Sequence, residues 1–213
     1  MRADFYQELD TLEGDVVRMG GFVVESVERV TTALAEGDAV LAAAVIDADY
    51  QIDQIYLHVE MRCYELLAQQ QPVAGDLRRI LSMLRVIQDL ERSGDLTKNV
   101  AEIVRNDPTM VRLKPISEII GKLGLTTRDL LRTAVEAFAS KDPTMAKTLE
   151  EKDDKVDNLY KELVREQFRL GDESSVEIAM NMVLTGRFFE RIADHAVNIA
   201  IWVKYKETGI LHA

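Results

Sequence analysis

The second half of this sequence repeats the first. Asp49-Tyr-Gln-Ile-Asp53-Gln-Ile-Tyr56 matches Asp153-Asp-Lys-Val-Asp157-Asn-Leu-Tyr160 at an offset of 104, which also pairs Asp38 with Asp142 and Gly20 with Gly124. Glu91-Arg-Ser-Gly-Asp95-Leu-Thr-Lys-Asn99 matches Glu190-Arg-Ile-Ala-Asp194-His-Ala-Val-Asn198 at an offset of 99, so copy two lacks five residues near its second turn. Most of the identities are polar. Helix packing does not demand polar identities, so the repeat points to a duplicated functional feature as well as a duplicated fold.

Each copy reads as three long helices. Ala, Leu, Glu, Arg, Val and Met fill long stretches with apolar spacings of three and four, and no period-two run argues for a sheet. Breakers fall at Gly37-Asp38, at Gln71-Pro72-Val73, from Asn106 to Pro115, at Lys141-Asp142-Pro143, and at Gly171-Asp172-Glu173-Ser174. They leave helices over 4–36, 38–70, 74–106, 116–140, 142–169 and 175–207. The last carries Ser174 as an N-cap ahead of Glu177. A helix of about 30 residues is about 45 Å long. The expected fold is all-α, two tandem, pseudo-twofold-related antiparallel three-helix bundles over residues 1–107 and 115–213.

Charge excludes one class of partner. The 213 residues hold 37 acids and 26 bases, a net charge of −11, and such a surface repels a phosphate backbone. The excess is uneven: residues 1–106 hold 19 acids and 10 bases, residues 107–213 hold 18 and 16. The lone Cys63 excludes an internal disulfide or a thiolate metal site. No apolar h-region opens the chain and no stretch is apolar enough to span a membrane, so a cytoplasmic protein is expected, with membrane association only through partners.

The acids fall at matched heights. Residues equally distant from a tight turn lie level on antiparallel helices. Asp53 with Glu91, and Asp49 with Asp95, are both centred on residue 72, at the Pro72 turn. Asp157 with Glu190, and Asp153 with Asp194, are both centred inside 171–174. Reflecting Asp49 and Asp153 through the first turn of each copy reaches Glu25 and Asp129, themselves 104 apart. An i,i+4 pair of acids is commonly just a solvated helix face. Here, however, Glu190 and Asp194 interrupt a line with Val183, Val197 and Ile201. Like charges at that spacing cost a helix about 0.2–0.5 kcal/mol, and a cation relieves the cost. We therefore read Asp49, Asp53, Glu91, Asp95, Asp153, Asp157, Glu190 and Asp194 as metal ligands, with Glu25 and Asp129 as outlying candidates. Oxygen-only ligands suit magnesium, calcium, manganese or iron, whereas zinc more often recruits His or Cys. Asn99 and Asn198, four residues past Asp95 and Asp194, are placed to support the ligands by hydrogen bonds. Arg92 and Arg191 point about 100° away from their glutamates and are expected to pair with neighbouring acids.

Glu190-Arg-Ile-Ala-Asp194-His195-Ala-Val-Asn198-Ile-Ala resembles the signature helix of the PhoU family, phosphate-uptake regulators of bacteria. Glu91-Arg-Ser-Gly-Asp95 resembles its first-repeat counterpart, and Gln71-Pro-Val-Ala-Gly-Asp76-Leu-Arg78 the connector before it. The family's pattern, a Glu or Asp followed four positions later by Asp, falls on Asp49/Asp53, Glu91/Asp95, Asp153/Asp157 and Glu190/Asp194. The resemblance implies two three-helix bundles and carboxylate-bound iron or zinc; taken with the oxygen-only ligand set, iron comes first, with zinc, manganese or magnesium as alternatives. It also implies a non-catalytic negative regulator of the phosphate-starvation response, connecting the phosphate ABC transporter ATPase with a sensor histidine kinase, and a homodimer. The sequence departs from the pattern at Leu96-Thr97-Lys98, where copy two has His195-Ala-Val.

Two other function classes fit the same residues. One is a carboxylate-bridged di-metal oxidase, which in ferritin-like proteins needs Glu-x-x-His on two helices, and the chain has no such motif. The other is a structural helical module whose acids only solvate it. Among single residues, Cys63, Met180 and Met182 are expected in the core, and His58 and His212 at the surface. Tyr56 and Tyr160 are expected beside the acidic layers, Trp202 near a docking surface, and His195 off the ligand face.

Overall fold

The computed structural model describes residues 2–108, 114–170 and 176–211. Six helices follow one another: α1 (Arg2–Glu36), α2 (Ala39–Gln70), α3 (Ala74–Asn106), α4 (Lys114–Ser140), α5 (Met145–Leu170) and α6 (Val176–Thr208). Among the described residues there is no strand. Helices α1, α2 and α3 pack mutually, as do α4, α5 and α6, which gives the two expected three-helix bundles. The bundles join through α1 against α4 and α3 against α6, while α2 and α5 touch only helices of their own bundle. One continuous apolar core runs through both, including Leu9, Met19, Ile87 and Val100 from the first and Leu131, Phe189, Ile192 and Val203 from the second.

The turns show how the repeat is built. Gly37 takes a left-handed φ of 67°, and Asp38 then caps α2 by accepting from the Val40 and Leu41 amides at 2.9 Å each. In copy two Lys141 occupies the same left-handed position at φ 57°, and Asp142 accepts from the Thr144 amide at 2.9 Å. Asp142, Pro143 and Thr144 form a turn, so α5 starts at Met145 and not at the expected 142. Helix α4 starts at Lys114, two residues earlier than expected, because Pro115 sits in the first turn, where a missing N–H is tolerated. The expected turn at 171–174 with its Ser174 cap, and His212, lie outside the described residues.

Gly20 and Gly124 explain why the glycines recur at the repeat offset. A Cβ on Gly20 would lie 2.6 Å from Val135 Cγ2, and one on Gly124 would lie 2.4 Å from Thr31 Oγ1. Thr31 and Val135 are themselves 104 apart, so the two contacts are pseudo-twofold mates and α1 crosses α4 antiparallel. At the other crossing, Ser93 Oγ lies 3.0 Å from His195 Nδ1, and the Arg85 guanidinium sits 5.6 Å over the Trp202 ring. Trp202 therefore packs half-buried where α3 meets α6.

A buried ion network clasps the bundles at one end. Glu13 on α1 accepts from Arg79 Nε of α3 at 3.1 Å and from Lys206 Nζ of α6 at 3.2 Å, with Lys141 Nζ at 3.4 Å. The Lys206 side chain is 2% exposed and lies over the Phe138 ring at 4.3 Å. Burial alone would raise the Glu13 pKa, but the Arg79 hydrogen bond and the charges of Lys206, Arg79 and Lys141 outweigh it and hold the carboxyl below its ordinary 4.5.

Two outcomes follow from these contacts. Gly124→Val overpacks the α1–α4 crossing and lowers unfolding stability by about 1–3 kcal/mol, read as a reduced urea midpoint. Glu13→Gln removes the nearer of the two carboxylates beside the buried Lys206, leaving Glu207 at 3.5 Å, and costs about 2 kcal/mol at neutral pH. Because the folded-state pKa of Glu13 is depressed, its stabilisation is full above 4.5 and fades as pH falls through the lowered value. The difference between wild type and Glu13→Gln in urea titrations therefore shrinks in acid.

Candidate functional site: two carboxylate layers

Each layer forms between the outer helix of a bundle and its third helix. In the first, Asp49 and Asp53 of α2 face Glu91 and Asp95 of α3, close enough for the charges to perturb one another. The Asp53 pKa is raised by burial and by Asp49 and Asp95, against the lowering effect of Lys98. That of Glu91 is raised by burial and by Asp95, Asp53 and Asp49, with Arg92 opposing. In the second layer, burial followed by Asp194, Asp157 and Glu190 pushes Asp153 to about 6. Glu190 is raised by burial, Asp194 and Asp157, and Asp194 by burial and Asp157, with arginines opposing both. The eight acids placed level by reflection through the turns are thus in electrostatic contact within their layers.

The layers carry different internal cations. Lys98 Nζ donates to Asp49 Oδ2 at 2.9 Å, and Asp49 is buried beside Gly94, where a Cβ would lie 3.2 Å from Asp49 Oδ1. At the offset of 99, Lys98 corresponds to Val197, so the second layer lacks this ammonium. There Arg187 donates to Glu190 Oε1 from one turn earlier on α6, and Lys161 reaches Asp157 at 3.3 Å from the exposed side. Asp153 Oδ1 and Glu190 Oε2 are nevertheless buried with no donor among the described residues, and Glu190 as a whole is 9% exposed. Two unpartnered buried carboxylate oxygens fit a cation bound between α5 and α6. As the side chains stand, no three His, Cys, Asp or Glu among the described residues converge at chelating distance. Ligation therefore requires rotamer changes in these side chains.

Other candidates stand elsewhere. The Glu25 side chain is 60% exposed with Arg29 at 3.7 Å, and that of Asp129 is 56% exposed with Arg128 at 2.7 Å. Reflection through a turn fixes height along a bundle but not azimuth, and these two carboxyls look outward. Asn99 and Asn198 are exposed on the edges of α3 and α6. Arg92 opposes the pKa rise of Asp89, and Arg191 that of Asp194, which fits their expected pairing with neighbouring acids. Tyr56 donates to Glu60 at 2.7 Å and lies within reach of the Glu91 charge.

His195 is buried at the α3–α6 crossing, where burial and then Arg191 and Arg92 lower its pKa to about 4, so it is neutral. Cys63 is fully buried, as expected of a core residue. His58 is exposed, 3.6 Å from Asp15. Met182 is in the core but Met180 is 60% exposed, a correction forced by helix geometry: residues two apart lie about 200° around the axis and do not share a face.

The fold and the paired layers define a class, helical proteins of two pseudo-symmetric bundles with acidic helix seams and no catalytic constellation among the described residues. Within that class the PhoU domain matches residues 16–104 and 120–203, and the chain belongs to the PhoU family. It is 34% identical over 210 residues to "Phosphate-specific transport system accessory protein PhoU homolog 2" of Mycobacterium tuberculosis, covering 98% of this chain and 99% of that one. It is 35% identical over 194 residues to the PhoU homolog of Aquifex aeolicus, covering 87% and 85%. The crystal structure of PhoU from Pseudomonas aeruginosa superposes with a TM-score of 0.91 at 32% identity, covering 97% of this chain and 100% of the other. That of the phosphate transport system regulatory protein PhoU from Streptococcus pneumoniae gives 0.87 at 29%, covering 98% and 99%.

The crowding of Asp153 has a measurable consequence. Its folded-state pKa lies above the ordinary 3.8, so ionisation destabilises the fold increasingly as pH rises through about 6. Asp153→Asn in metal-free protein raises the urea midpoint at neutral pH, whereas an unchanged or lower midpoint contradicts the crowding.

Proposed function

We propose that this chain is a cytoplasmic, non-catalytic accessory protein that regulates phosphate transport and represses the phosphate-starvation response. It works by contact with the ATPase of a phosphate ABC transporter and with a sensor histidine kinase. The names of its relatives as phosphate-transport accessory and regulatory proteins support the transport role. No helix among the described residues is long and apolar enough to cross a membrane, which fits a protein that reaches a transporter through its partners.

The observation that carries the site reading is the pair of buried, donorless oxygens, Asp153 Oδ1 and Glu190 Oε2. In this reading Asp153, Asp157, Glu190 and Asp194 hold a hard cation, iron first, with manganese, magnesium or zinc as alternatives. The cation offsets the repulsion among those acids and fixes α5 against α6. Asp49, Asp53, Glu91 and Asp95 form the weaker site, because the Lys98 ammonium already serves Asp49.

Elemental analysis of purified protein after equilibration with manganese or iron tests the ranking. Glu190→Gln with Asp194→Asn removes most of the bound metal, and Asp95→Asn removes little. Lys98→Val, which installs the copy-two residue, raises the metal content of the first layer. Equal metal in all four proteins, or loss confined to Asp95→Asn, overturns the assignment.

A further inference from the structure

The outer face of α2 carries an apolar seam that none of the described residues covers. Tyr50, Gln54, Leu57, Met61, Tyr64 and Ala68 follow one another at spacings of four, three, four, three and four, the alternation of a coiled-coil core. Projected down the helix they form a stripe about 80° wide at 100° per residue. Tyr50 is 66% exposed, Leu57 48%, Met61 60% and Tyr64 54%. Most of the seam is peculiar to copy one: the offset of 104 takes Tyr50, Gln54, Leu57 and Met61 to Asp154, Asn158, Lys161 and Arg165 on α5, and only Tyr64 has an apolar mate, the exposed Phe168. Large apolar side chains kept in water at coiled-coil spacing on one copy, and replaced by charges on the other, mark an interaction surface.

The flanks say what kind of partner fits. Asp47 and Glu65 border the seam on one side and Glu60 on the other, and α2 as a whole (residues 39–70) holds five acids against one base, Arg62. Arg62 is engaged by Glu8 and Glu65. Helix α5, over 145–170, holds seven acids against six bases. A second copy of this chain paired through the seam would set acids against acids, and an anionic lipid surface would be repelled in the same way. We propose that the outer face of α2 docks an amphipathic helix of a partner protein whose apolar ridge is bordered on both sides by Lys or Arg. This deepens the docking role proposed above and rests on it only in that the chain acts by holding a partner. Asp53 of the first layer borders the seam on the Glu60 side, but the proposed second-layer cation and the seam substitutions involve different residues, so metal content and helix binding fail independently.

The test uses full-length protein and a fluorescein-labelled synthetic helix with Leu at its heptad core positions and Lys at the flanking ones. Fluorescence anisotropy is expected to show saturable one-to-one binding that weakens with salt. The double variant Leu57→Ser/Met61→Ser, with unchanged circular dichroism, reduces affinity about tenfold or more. Glu60→Lys/Glu65→Lys shifts preference to the same helix carrying Glu at its flanks, and Arg165→Ala on α5, at the position matching Met61, leaves binding unchanged. Absence of binding, equal binding of the Lys- and Glu-flanked helices to wild type, or affinity unaffected by Leu57→Ser/Met61→Ser overturns the proposal. It is also overturned if sedimentation shows a wild-type dimer that this double variant dissociates, or if wild type pellets with phosphatidylglycerol vesicles and the variant does not.

Discussion

The close crossing of α1 over α4 decides which surfaces are left for function. Gly20 and Gly124 bring the two backbones together at pseudo-twofold mates, and α3 meets α6 alongside. Four of the six helices are thereby committed to holding the copies together. Only α2 and α5 remain on the outside, each touching its own bundle alone. Each carboxylate layer lies between one of these outer helices and its committed neighbour, at an edge that solvent and ions reach. The duplicated acids are thus held by the rigid inner frame but presented at its rim.

Charge distinguishes the two rims. Gathering four carboxylates between packed helices is unfavourable: burial first, and then mutual repulsion, raises Asp53, Glu91, Asp153, Glu190 and Asp194 above the ordinary carboxyl range. Copy one relieves it with Lys98, a cation supplied by the chain itself. Copy two has Val197 at that position and leaves two buried oxygens without a donor. The Lys98 ammonium answers that electrostatic problem in copy one, and in the proposed reading an exogenous cation answers it in copy two. The acidic excess of residues 1–106 has a second source in α2, whose outward acids border an apolar seam.

Much of this was legible in the residues. Apolar spacing and a few breakers placed six helices within three residues of their observed starts, because long amphipathic helices carry a redundant signal. Equal distance from a turn found the eight layer acids, because tight connections between antiparallel helices fix height. It gave Glu25 and Asp129 a height only, and their side chains are exposed, since height says nothing of which way a side chain faces. Bundle-to-bundle contacts were not legible: Ser93 with His195, and Glu13 with Lys206, join positions far apart in sequence. One faint signal for the clasp exists, an acid at Glu13 within the apolar line of Leu9, Leu12 and Val16. Lys98 was visible as a departure between the copies, but its bond to Asp49 needed the packed α2–α3 interface.

The account turns on a cation bound between α5 and α6 in preference to α2 and α3. Anomalous diffraction at the manganese edge, from crystals grown with manganese, tests this directly. The account predicts an anomalous peak within coordination distance of Asp153 and Glu190, stronger than any peak beside Asp49. A strong peak beside Asp49 with none between α5 and α6, or no peak at either layer, would contradict it.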